Sequence, residues 1–465
     1  MDWKRLVGVA FVVGMLCAVP TALAAEPAGS ELAPSESALV EWFQGVTHPA
    51  DCFCWGGDLR LRQVYYKNAI DMTDEADDTS HFFRTRARLW GQIIPSKLLD
   101  GMDWAEGMKL YVRMTAEPRY FMERPGSERP TWDEVVYDNL YLDWPRVGGL
   151  PISVRIGRQD ILYGRGFVIL DGTPLDGSRT IYSDGIKATL HLDDQATTID
   201  AFYINNKANE KRLRPFNETG QWTSEFDTTL VGAYLINKSM EGHELNAYYI
   251  YKDQNSTTGS MCPEILHTVG GLAQGKLDSN YDYYVEAAGQ WGACRRVTDP
   301  EPVEAFGVSA EVGRTWPDAG WKPRVFGAYE YLSGDDPDTR KVEGWDPVLA
   351  RWPHWSELYV YSWAAELRPP GYYTNVQRFA LGAQAKPGPN TSLAVDWSWL
   401  RANERTGGQD GHGRGQLVTA KLIHKFSEWV SGHVWVEYFH PSSEYYMPSS
   451  DAAVFARWQL EIKLP

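Results

Sequence analysis

Between His81 and Ile93 the chain reads His-Phe-Phe-Arg-Thr-Arg-Ala-Arg-Leu-Trp-Gly-Gln-Ile. Arg84, Arg86 and Arg88 occupy every second position, with Phe83, Thr85, Ala87 and Leu89 in and around the gaps. Successive side chains of a strand point to opposite faces, so one face is a row of guanidinium groups and the other is mostly apolar. A soluble sandwich has no place for both faces. Three arginines do not enter a dry core without partners, and the apolar row does not belong in water. A membrane-spanning barrel with a wet interior and a lipid-facing exterior accepts the two at once. The expected fold class is therefore all-β: a transmembrane antiparallel β-barrel of about 18 strands.

The rest of the chain keeps that rhythm. Strands are predicted at 57–67, 80–94, 108–120, 132–144, 152–162, 185–192, 197–206 and 225–237, then at 243–252, 264–273, 281–291, 303–315 and 324–333. The last five fall at 376–386, 391–401, 416–424, 430–439 and 452–464. Alternation is clearest near the two ends. Leu110, Val112, Met114 and Ala116 interleave with Lys109, Tyr111, Arg113, Thr115 and Glu117. Val454, Ala456, Trp458, Leu460, Ile462 and Leu464 interleave with Arg457, Gln459, Glu461 and Lys463. Pro387-Gly388-Pro389-Asn390 suits a tight turn. A closed barrel leaves no unpaired strand edge in lipid. The final strand resembles an outer-membrane insertion signal, although Pro465 stands where an aromatic residue is usual.

The N-terminus has the layout of a cleaved secretory signal over residues 1–25: Lys4 and Arg5, an apolar run from Leu6 to Val19, then Thr21-Ala22-Leu23-Ala24-Ala25. That run is short for a membrane span, and no later stretch is apolar enough for a transmembrane helix. Residues 26–56 form an expected periplasmic segment with a short helix over 35–44, and 57–465 form the barrel. The formal net charge of −16 excludes a generally basic nucleic-acid binder, yet the charges are segregated. Acidic residues crowd into loop-like stretches such as Asp335-Asp336-Pro337-Asp338, whereas arginines sit in strands. Twenty tryptophans and 25 tyrosines are enough for aromatic girdles at both membrane surfaces. Of the cysteines beyond the signal, Cys52 and Cys54 precede the first strand, and Cys262 and Cys294 could pin a loop to a hairpin. No haem or zinc spacing is present, and no cofactor or metal is expected.

The run Val154-Arg155-Ile156-Gly157-Arg158-Gln159-Asp160-Ile161-Leu162-Tyr163-Gly164 resembles the Gly-Arg-Gln…Tyr-Gly signature of the alginate-export family of outer-membrane barrels. Asn139-Leu140-Tyr141-Leu142-Asp143 upstream and Gly177-Ser178-Arg179-Thr180…Asp184-Gly185-Ile186-Lys187 downstream are similar to the segments that flank it there. Phe83-Arg84-Thr85-Arg86 also matches, and Ser183 departs from the family's more usual aromatic residue. The resemblance implies an 18-stranded monomeric barrel that passes a linear uronic-acid polysaccharide through a basic lumen. Carried onto this chain, that lumen is Arg60, Arg62, Arg84, Arg86, Arg88, Lys109, Arg113, Arg155, Arg158 and Arg179, with Glu117 and Asp184 as carboxylate partners. The implied surroundings are outer-membrane lipid, an anionic poly- or oligosaccharide and possible periplasmic partners for export or uptake, with no nucleic acid.

The chemistry suits such a cargo. A uronate chain carries one carboxylate per sugar, and arginine offers a permanently charged planar fork to each. Rungs stand about 4.8 Å apart across a sheet and about 6.8 Å apart along one face of a strand, the latter close to a sugar repeat. Several weak sites pass a polyanion along, whereas one tight site traps it. Other readings remain open: a general anion-preferring porin, an outer-membrane hydrolase, and a soluble carbohydrate-binding β protein. No Gly-x-Ser-x-Gly elbow supports the hydrolase, and no catalytic residue is assigned. The tryptophan-rich stretch 344–373 is expected either to fold into the barrel mouth or to lie on its rim.

Overall fold

The computed structural model describes residues 36–70, 72–76, 78–99, 101, 105–123, 134–170, 182–208, 213, 216, 226–256, 264–295, 299–350, 353–359, 373–405, 407–446 and 450–464. The chain divides into two units, 1–49 with 465, and 50–464. In the first, helix α1 (Glu36–Thr47) covers the predicted helix from Glu36 and extends it by three residues, while Ser35 lies outside the described residues. The Thr47 hydroxyl donates to the Phe43 carbonyl at 2.9 Å, closing the last turn.

The second unit is one antiparallel sheet rolled into a barrel. Its strands are β1 (Phe53–Lys67), β2 (Ser80–Ile93), β3 (Lys109–Ala116, resuming as Arg119–Glu123), β4 (Val135–Trp144), β5 (Ile152–Gln159) and β6 (Ser183–Leu192). They continue as β7 (Thr197–Asn206), β8 (Phe226–Asn237), β9 (His243–Ser256), β10 (Glu264–Lys276), β11 (Tyr281–Cys294) and β12 (Glu301–Thr315). The circuit is completed by β13 (Arg324–Leu332), β14 (Val376–Gly388), β15 (Thr391–Arg401), β16 (Gly413–Lys425), β17 (Val430–Pro441) and β18 (Ala453–Lys463). Both pieces of β3 pair with β2, so nineteen segments make eighteen strands. Each strand pairs with its sequence neighbours, and β1 closes on β18 from Asp58↔Lys463 to Lys67↔Val454. All eighteen predicted strands are present. The first begins earlier than expected, at Phe53, which puts Cys54 inside β1 rather than before it.

Connections at one end are short, apart from the one between β2 and β3, which carries a helical turn at Pro95–Leu98. Pro389-Asn390 alone joins β14 to β15. In the β10–β11 turn the Asp278 carboxylate accepts the Asn280 and Tyr281 amides at 2.7 and 2.8 Å, which holds its pKa below the ordinary value. The two longest connections, from β5 to β6 and from β13 to β14, start and finish at the opposite end, the extracellular end of barrels of this type.

The faces segregate as the alternation requires. Leu89, Val231, Val285, Val312, Leu381, Val395, Val436 and Trp458 are exposed on the outside. Their neighbours Arg88, Leu230, Tyr284, Ala380 and Glu437 are buried on the inside. An exposed apolar band of this extent is stable only against lipid.

One strand breaks its own alternation. Arg155 and Arg158 are three apart, so a regular β5 would send them to opposite faces. Gly157 between them has φ +125°, and a Cβ there would stand 2.2 Å from the Leu140 carbonyl oxygen. Gly157 pairs with Gly185 of β6, where a Cβ would meet the Tyr203 carbonyl oxygen at 1.9 Å. The two glycines let the backbones of four successive strands, β4 to β7, approach closely. Arg158 then lies 3.7 Å over the Tyr182 ring, grips both oxygens of Asp184 at 2.7 and 2.8 Å, and donates to the Tyr137 carbonyl at 2.9 Å. Gln159 is wholly buried beside it.

Two outcomes follow for the refolded protein in vesicles, read by equilibrium unfolding in denaturant. Leu381→Arg, at the middle of the lipid face of β14, lowers stability by about 2–4 kcal/mol. Gly157→Ala lowers it by about 1–3 kcal/mol, the typical cost of a side chain held in a disfavoured backbone region.

Candidate functional site: a charged inner wall and an inserted strap

The inner faces of β18, β1, β2, β3, β4 and β5 carry most of the residues singled out from the sequence. Register puts Arg60 directly opposite Arg86, and Arg62 directly opposite Arg84. Like charges so placed repel, and carboxylates bridge them. Glu117 stands where Pro118 interrupts β3; its fully buried carboxylate contacts Arg60 and reaches Arg84 at 2.5 Å. Arg86 meets Asp58 at 2.8 Å and Glu461 at 3.4 Å. Arg62 donates to the Gln459 side-chain oxygen from Nε at 2.9 Å and from Nη2 at 2.5 Å. Arg60, Arg62 and Arg86 are no more than 2 % exposed, so this part of the wall is a packed ion-pair network.

Farther round the wall exposure rises from Arg88 through Arg113 to Arg155. Arg88 donates to Thr115 at 3.3 Å and lies 3.6 Å from Asp138. Arg113 bridges Asp138 and Asp160 at 2.9 and 2.8 Å. Arg155 pairs with Asp143 at 3.0 Å with its guanidinium 4.3 Å over the Tyr141 ring, and its side chain is 30 % exposed. Lys109 sits opposite Asp143 in the β3–β4 register. Arg158 and Asp184 engage each other in the glycine-lined clasp, and Arg179 lies outside the described residues.

Sequence reasoning missed five carboxylates of this wall: Asp58, Asp138, Asp143, Asp160 and Glu461. Asp58 and Glu461 share strand parity with Arg60 and Arg457, so alternation could have found them. Asp138 lies at a register shift between Arg113 and Met114, which no local pattern reveals.

The connection between β13 and β14 answers the question left open at 344–373. Its described part enters the barrel as a strap. Trp345, Val348, Ala350, Leu358 and Tyr359 are buried. Lys252 of β9 holds Asp346 at 2.7 Å and Glu264 at 2.8 Å. Gln290 of β11 donates to the Asp346 carbonyl at 2.7 Å and accepts its amide at 3.0 Å. Trp355 donates to Glu330 of β13 at 3.1 Å and lies under Arg378 of β14 at 4.8 Å. Glu437 of β17 accepts the Ser356 hydroxyl at 2.6 Å and the Glu357 and Leu358 amides at 2.7 and 3.1 Å. Arg457 of β18 donates to Glu357 at 2.9 Å. The segment after β5 supports the strap: Leu349 donates to the Val168 carbonyl at 3.0 Å, and Phe167 packs on Trp345 with ring centres 5.1 Å apart. Trp352 and Trp363 lie outside the described residues.

Other groups weighed from sequence have ordinary surroundings. Asp335 accepts the Glu343 amide at 2.8 Å and Asp336 the Asp338 amide at 2.9 Å, shaping a turn. Among the described residues no three metal-ligating side chains gather. Cys294 is disulfide-bonded, Cys262 is outside the described residues, and Cys52 and Cys54 are free thiols. Ser153 and His191 lie 2.8 Å apart at the short-turn end, and nearby Asp193 is taken by Arg146 at 2.7 Å.

The barrel is similar to solved porin-like structures. Pseudomonas aeruginosa OccK5 (OpdH) superposes with a TM-score of 0.53 at 12 % identity, over 88 % of this chain and 98 % of that one. Acinetobacter baumannii OccAB2 gives 0.53 at 11 % identity, over 88 % and 97 %. Pseudomonas aeruginosa OccD3 (OpdP) gives 0.51 at 10 % identity, over 88 % and 92 %. At such identities the likeness is one of fold. No curated protein matches the sequence. The model of the alginate export family matches residues 54–416, from the first strand through the β1–β5 part of the charged wall, the clasp and the strap to the start of β16. With the closed barrel and its apolar exterior, that match makes the chain a member of the alginate export family.

Proposed function

We propose that the protein is an integral outer-membrane channel whose arginine-bearing wall passes an anionic polysaccharide, or its oligomers, made of uronic-acid units. The observation that carries this reading is the state of the wall itself. Its guanidinium groups hold carboxylates, the group that each uronate sugar presents. A passing chain exchanges with these internal partners, so each step is shallow and the polymer is not trapped. Arg113, Arg155 and Lys109 with Arg84 are the contacts we assign to cargo. Arg60, Arg62, Arg86 and Arg88 act behind them through the ion-pair network and its field. Arg158 and Asp184 serve the clasp that shapes this wall. In the same reading residues 1–25 are a cleaved signal, 26–56 are periplasmic, and a single chain forms the pore.

A second reading, a general porin for small anions, draws on the deep burial of Arg60, Arg62 and Arg86. Arginines sealed by internal carboxylates would set a field without gripping a polymer.

Single-channel recording from refolded protein in a planar bilayer separates the two. Oligouronates block an anion-preferring current, and neutral oligosaccharides of matched size do not. Arg113→Ala and Arg155→Ala each weaken the block about tenfold, the worth of one charge-assisted hydrogen bond. A current indifferent to both sugars leaves the general porin. An absence of current from folded protein removes both.

A further inference from the structure

The strap places a carboxylate where the wall continues. On β18, Gln459 receives Arg62, and Arg457 is the next inward residue toward the long-loop end. Its setting is a prepared anion seat. The guanidinium lies 4.8 Å from the Trp435 ring and 5.7 Å from Phe455, Nε faces His433 Nε2 at 3.1 Å, and Nη1 donates to Glu357 at 2.9 Å. Arg457 was not among the residues assigned from sequence, and its carboxylate partner comes from the strap rather than from the wall.

Glu357 is held there under opposition. Its own amide is bonded to the Glu437 carboxylate at 2.7 Å, so two carboxylates share one turn of chain in a buried setting. Like charges in such a place raise each other's energy. A carboxylate arriving on another molecule meets the same guanidinium without that tether.

We propose that Arg457 is a uronate-binding subsite of the channel, occupied in the resting barrel by Glu357 as an internal stand-in that a uronate carboxylate of the cargo displaces. This rests on the reading of the protein as a channel for uronate chains and adds the subsite and its competitor. Displacement frees one of the strap's anchors. The Glu437, Lys252 and Gln290 contacts remain to guide its return. A neutral sugar cannot make the exchange, so the strap discriminates by charge as well as by bulk.

The test is a double-mutant cycle in the planar bilayer, reading the oligouronate association constant from current block. The proteins are wild type, Glu357→Gln, Arg457→Gln and the double variant, each checked for folding by heat-modifiable migration. A ligand's apparent affinity falls with the fraction of protein competent to receive it. Glu357→Gln therefore tightens oligouronate binding by about fivefold or more, the lower edge of ordinary coupling between sites. Arg457→Gln weakens it, and adding Glu357→Gln to that background changes nothing further. Unchanged binding in Glu357→Gln overturns the proposal. So does an equal gain in the Arg457→Gln background, which would reflect only the loss of a negative charge from the pore. Block in wild type with either of those results leaves the channel reading standing, whereas no block in any variant removes both.

Discussion

In lipid there is no water to satisfy a backbone amide, so a sheet within the membrane must pair every edge. The β1–β18 pairing from Asp58↔Lys463 to Lys67↔Val454 meets that demand, and the rest of the architecture depends on it. Closure fixes which residues face inward, because register and alternation together leave each side chain one choice. It also brings the first two strands and the last beside one another. The charged wall is assembled across that seam: Arg60 and Arg62 come from β1, Arg84 and Arg86 from β2, Gln459 and Glu461 from β18.

Charge inside such a wall is kept by pairing. Taking an ion out of water costs several kcal/mol even after relaxation, and facing arginines add repulsion to that cost. Glu117 offsets both for Arg60 and Arg84, and it is placed to do so by Pro118, which has no amide for the ladder and interrupts β3. The result is graded. Around Arg60, Arg62 and Arg86 the network is packed, whereas Arg155 and Asp143 retain substantial contact with solvent. The first tier gives the wall its shape and field, and the second keeps its charged groups in contact with solvent.

The barrel was legible in the sequence because a single periodicity, two, carries the whole signal. Phe83, Thr85, Ala87 and Leu89 against Arg84, Arg86 and Arg88 define two environments without any long-range information. The site was legible only in part. Its basic half lies in runs of alternation, but its acidic half depends on which strands meet. Asp160 follows β5 and reaches Arg113 on β3, and Asp138 sits at a register shift. Arg158 lies beyond the reach of alternation, since it stands three positions after Arg155 and only Gly157 at φ +125° brings it into the clasp with Asp184, the carboxylate partner expected from the motif. Arg457 reads locally as one member of an alternating strand, since its partner Glu357 is one hundred residues away in the chain.

The strap has a mechanical side as well. Its contacts reach β9, β11, β13, β14, β17 and β18, so it ties distant staves of the wall together as a cross-brace. An unbraced ring of staves deforms easily from round to oval, because the hydrogen-bond ladder resists stretching far more than bending. With the brace seated, the cross-section has a set shape and the charged wall a set distance from the staves facing it. Any event that unseats one end of the strap alters the roundness of the barrel as well as the width of its passage.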